Sequence, residues 1–136
     1  VIRRAVFALA ALAASGVQAQ TAFTPDPMGW EQTGVSPVEF QFIKPAPPAP
    51  PYVRRLVRSE GTTARTYGSF SFISMVSLVE FDCAAKKSRS LEGTLYSQNN
   101  ISGDILRLTA PGSWRSYTPG SLNFDLIARV CAEGAK

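Results

Sequence analysis

The second half of this chain alternates apolar and polar residues with a period of two, and it changes to a helical period only near the end. Tyr52 to Arg58 reads YVRRLVR. Val53, Arg55 and Val57 share the more apolar face and are expected to point inward, with Arg55 near an edge. Ser59 to Thr63 reads as a turn. Thr66 to Phe81 is the longest β-rich run, with Ile73, Met75, Val79, Phe81 and Cys83 on one face and Phe70, Phe72, Val76 and Leu78 on the other. Two apolar faces predict a central strand covered on both sides. Gly68 marks a break or bulge near its start. Asp82 to Ser88 then turns the chain, Arg89 to Tyr96 gives another strand, Ser97 to Gly103 a turn, and Asp104 to Leu108 a further strand.

Beyond Thr118 the period becomes helical. Leu122, Leu126 and Val130, joined by Ile127 and Cys131, make one apolar stripe. The helix can start at a Thr118 cap with Pro119 in the first turn, or one step later at a Ser121 cap. Asp125 and Arg129 are spaced to pair one turn apart, and Gly134 is a natural stop.

The first half carries weaker patterns. Arg3 and Arg4 precede an apolar stretch, Ala5 to Ala14, and Val17 and Ala19 are small residues before Gln20. This is the layout of a secretory signal peptide over residues 1–19. The apolar run is shorter than the roughly 20 residues needed to span a bilayer, and no later transmembrane segment is expected. No cysteine stands near the cleavage site, so no lipid anchor is expected. Residues 20–51 read as an irregular, Pro-rich arm, with a short strand at Val38–Ile43 and an extended spacer, KPAPPAPP, at Lys44–Pro51. The folded domain is expected over residues 52–136. Its class is α+β: a small antiparallel sheet of four to six strands with one C-terminal helix packed on it.

Export bears on the two cysteines. In an oxidising compartment a lone pair of thiols becomes a structural disulfide, so Cys83 and Cys131 are expected to staple the helix to the long strand. The chain contains no histidine. That removes the commonest general base and metal ligand, along with Ser/His/Asp and Cys/His nucleophiles. No cofactor and no enzymatic activity are expected. The net charge of +4 includes the two arginines of the leader, so the remainder is closer to neutral and does not point to nucleic acid.

Two basic groups remain as candidate ligand-binding residues: Arg54, Arg55 and Arg58, and Lys86, Lys87 and Arg89. If adjacent, they would suit anionic glycans or acidic segments; otherwise they are strand-edge charges that prevent association. Trp114 and Tyr117 form either an exposed aromatic patch or a plug beneath the loop. Glu80 and Asp82 are the closely spaced carboxylates of the long strand, with nothing nearby to tune them apart as an acid–base pair.

The ordered set Phe81-Asp82-Cys83, Arg89, Leu91, Tyr96, Gly103, Trp114, Pro119-Gly120-Ser121 and Val130-Cys131 resembles the bacterial surface-adhesin E family over about Met75 to Ala132. The resemblance implies an antiparallel sheet with a C-terminal helix and an envelope location, in the periplasm or on the outer surface. It also implies adhesion to host extracellular-matrix or plasma proteins. A structural or stress-related periplasmic protein without a host ligand is the alternative.

Overall fold

A computed structural model describes residues 29–134. The expected leader, the first part of the arm and the last two residues lie outside the described residues. Six strands and one helix follow in order: β1 (Glu31–Val35), β2 (Glu39–Pro45), β3 (Val53–Tyr67), β4 (Phe70–Asp82), β5 (Lys87–Gln98), β6 (Ser102–Leu108) and α1 (Leu122–Glu133). Each strand pairs antiparallel with its neighbours in the chain, giving a six-stranded meander.

The α+β class, the C-terminal helix and the disulfide are as expected. Three local readings are corrected. The short strand expected at Val38–Ile43 is present as β2, but the rest of the arm between residues 31 and 45 is not irregular: β1 extends the sheet beside it, and Lys44 and Pro45 of the expected spacer belong to β2. The turn at Ser59–Thr63 is instead continuous strand with a bulge between Glu60 and Arg65. The run Thr66–Phe81 is two strands, because Gly68 adopts φ +58 and turns the chain between the paired Tyr67 and Phe70. A left-handed residue at this place suits the twist of a two-residue hairpin loop, and glycine adopts it without steric penalty.

Alternation sorts the sheet into two faces. One face is covered by α1. There Ile43, Val53, Val57 and Phe81 pack against Leu126, Ile127 and Val130, with Val79, Tyr117 and the two cysteines at the margin. Burying side chains of this size stabilises by about 1.5–3 kcal/mol each. Arg55 shares this face but lies well inside the sheet. It donates to the Arg54 carbonyl and approaches Glu133 at the end of the helix.

Ser121 begins α1: its hydroxyl oxygen accepts the Phe124 N–H while its O–H donates to the Thr118 carbonyl. Cys83 at the end of β4 and Cys131 in the last turns of α1 are joined, with Cα atoms 5.5 Å apart. The expected Asp125–Arg129 pair gives way to other partners. Arg129 bonds Glu133 one turn on and Glu31 of β1, because the helix crosses the sheet as far as its first strand. Gln41 donates to Asn123 across the same seam. A Cβ at Gly34 would stand 2.8 Å from Leu122, so β1 passes close beneath the start of the helix.

Candidate functional site

The face of the sheet away from the helix is partly open, and its residues follow from register. One rung is Arg54–Glu80–Arg89, the next Lys44–Leu56–Leu78–Glu92, and the third Phe42–Arg58–Val76–Thr94–Arg107. β4 is interior to the sheet, as expected, yet its outer face is not covered by a second layer. Val76 and Leu78 are half-buried there. With Leu56, Glu92, Thr94 and Arg107 they line a trough of about 250 Å³.

Glu80 is 2% exposed and sits between two arginines. Arg54 reaches Glu80 Oε2 at 2.8–2.9 Å, and Arg89 donates two hydrogen bonds to Oε1 at 2.8 and 3.0 Å. Both guanidinium side chains keep about a third of their surface in solvent. Trp114 lies over Arg89, with its ring centre 4.5 Å from the guanidinium carbon, and contacts Tyr52 at 5.1 Å between centroids. The row thus runs Tyr52, Trp114, Arg89, Glu80, Arg54. It presents two cations and one carboxylate beside an indole, a geometry in which cation–π attraction and ion pairing hold the arginines in place.

Burial pushes the Glu80 carboxyl upward, but the hydrogen bonds from Arg89 and Arg54 outweigh it and hold the group below its ordinary value of 4.5. A carboxylate depressed in the folded state stabilises fully above its unfolded value, and that stability is lost as pH falls through the folded one. Urea midpoints followed from neutral pH to well below 4.5 should therefore fall more steeply for the native chain than for Glu80→Gln. Parallel curves would show that Glu80 is not linked to folding. Asp82, two residues on, has a different partner: its carboxylate accepts the Ala85 N–H in the following turn.

The candidate residues divide. Arg54 and Arg89 meet through Glu80, and Trp114 joins them. Arg55 lies on the helix face, one residue out of phase. Arg58 is on the open face but 2% exposed, paired with Glu60 and covered by Phe42 and Trp30. Lys86 and Lys87 are exposed at the β4–β5 turn. Trp114 and Tyr117 do not form one patch. Arg115 bridges Ser88 through both backbone groups, so the segment runs extended along β5. An odd spacing then sends Trp114 to the open face and Tyr117 to the helix side. Residues missed in the sequence are Arg107, Leu56 and Glu80 as the centre of the row, which only strand register brings together. Among the described residues, no group of three His, Cys, Asp or Glu could hold a metal ion.

The described residues thus form a single antiparallel sheet, backed by one helix and offering an open polar–aromatic face. The family described as Surface-adhesin protein E matches residues 48–132, more than half of the chain, and the chain belongs to that family. Membership implies a surface adhesin and a non-enzymatic role. No curated protein and no solved structure matches the chain. Among the described residues no helix is long and apolar enough to cross a membrane.

Proposed function

We propose that this protein is exported and acts as an adhesin, engaging host extracellular-matrix or plasma proteins or anionic glycans through the open face of its sheet. The observation that carries this reading is the row of Arg54, Arg89 and Trp114 beside the Leu56–Leu78 trough, with Arg107 exposed at its far side. Half-exposed arginines fixed by a shared carboxylate offer donors whose positions are set before a partner arrives. Carboxylates and sulfates match such donors, and the aliphatic floor supplies area that leaves water. Oriented donors lose less freedom on binding than free side chains do.

The test is binding of the purified, oxidised chain to immobilised heparin and to a panel of matrix proteins. The double variant Arg107→Glu/Trp114→Ala should weaken retention by about tenfold or more, since it reverses one contact and removes the stacking surface of another. Asp125→Asn, on the exposed side of the helix, should leave it unchanged. Equal retention by all three would remove the open face from consideration. Protease treatment of intact cells addresses location: cleavage without lysis agrees with an adhesin, whereas protection until the outer membrane is opened favours the periplasmic alternative.

A further inference from the structure

A second concavity lies on the opposite side of the molecule, outside the adhesive face. Phe124, Ile127, Ala128 and Cys131 form one stripe of α1, spaced at three and four residues. Facing them are Tyr117 and the β4–β5 turn, and the Cys83–Cys131 bridge forms part of the wall. The volume of this open cleft is about 490 Å³. That is within the range of small-molecule sites, roughly 300–1,000 Å³. Its walls are mainly aromatic, aliphatic and disulfide, with Ser116 as a neutral polar member. Among the described residues no carboxylate lines it, and its one charged lining group is Lys86.

Two observations bear on Lys86. It holds φ +54, a left-handed conformation more often given to glycine or asparagine. Its ammonium is exposed and has no hydrogen bond or ion pair among the described residues. The turn beneath it is fixed by the Asp82 carboxylate, which accepts the Ala85 N–H at 3.0 Å. An apolar hollow with a single unpaired cation complements a ligand of one kind: an apolar body with one anionic end.

We propose that this cleft binds a single-chain anionic amphiphile, with its acyl or aryl body against Tyr117, Phe124 and Ala128 and its acid group at Lys86. The apolar body gains by leaving water, and the acid group gains a charge-assisted hydrogen bond. The site is separate from the open face, so loss of one does not entail loss of the other.

Calorimetric titration of the oxidised full chain with dodecanoate, below its micelle concentration, tests this. One saturable site is expected. Lys86→Glu should weaken it by about tenfold or more. Ala128→Trp should abolish it by filling the hollow; Ala128 is exposed, so the variant is expected to fold, and an unchanged thermal midpoint checks that. Dodecanol should bind equally well to the native chain and to Lys86→Glu, because it has no charge to lose. Absence of saturable binding overturns the proposal. So does binding indifferent to both substitutions, or binding seen with vesicles of anionic phospholipid and not with free dodecanoate.

Discussion

Replacing Glu60 by alanine should lower unfolding free energy by about 3–5 kcal/mol, the cost of leaving a buried charge without its counterion. Glu60 is fully buried on β3, and its carboxylate is surrounded by donors. Arg58 Nε and Ser74 Oγ each reach Oε1 at 2.8 Å, Asn99 Nδ2 reaches Oε2 at 3.0 Å, and the Asn100 N–H lies 3.2 Å from both oxygens. Removing the carboxylate strands the Arg58 charge and releases the β5–β6 turn. That turn is held in an uncommon backbone: Asn100 and Ile101 adopt φ +62 and +57, the second being a β-branched residue. Glu60→Gln retains an acceptor for Arg58 and should lose less. Urea denaturation of the three chains, with amide exchange of Asn100 and Ile101, measures both effects. An alanine variant as stable as the native chain would show that the network contributes nothing net.

The second large effect is expected from the disulfide. Cys83 and Cys131 are separated by 48 residues. Closing a loop of that length removes entropy from the unfolded chain and so raises its free energy by about 4 kcal/mol at room temperature. For a domain whose whole stability is on the order of 5–15 kcal/mol, this is a large share. Cys83→Ala/Cys131→Ala and the native chain under reductant should both lose about this amount in urea titrations. Reductant should leave the double variant unchanged. A native chain indifferent to reductant would contradict the bond.

Much of the fold was legible because β4 is a long, largely apolar run, β5 follows a clear turn, and α1 buries one stripe of strong helical period. Phe81, Leu95 and Val130 fall where alternation or helical spacing puts them inside. β1 was not legible. Its residues, EQTGV, are mostly exposed, so burial leaves no periodic imprint on them. The Ser59–Thr63 stretch has the composition of a turn, yet Glu60 there is satisfied by Ser74, Asn99 and Asn100, partners that local reading cannot see. The candidate site shows the same division. Arg54 and Arg89 were visible as basic residues, but their meeting at Glu80 depends on register across three strands. The separation of Trp114 from Tyr117 was available in principle, since an odd spacing in an extended segment places two side chains on opposite sides.

The strict neighbour-to-neighbour order of the strands has a kinetic consequence. Each hairpin needs only a short stretch of chain to close, so the sheet can assemble stepwise from local encounters at little entropic loss. The helix is different. Its seam with the first strands joins residues 82 apart, as in the Gln41–Asn123 contact. Docking of the helix is therefore the long-range event of folding, and the thiols of Cys83 and Cys131 are aligned only once it has happened. Oxidation then locks a topology that packing has already chosen, and the sheet serves as the template on which the cysteines find each other.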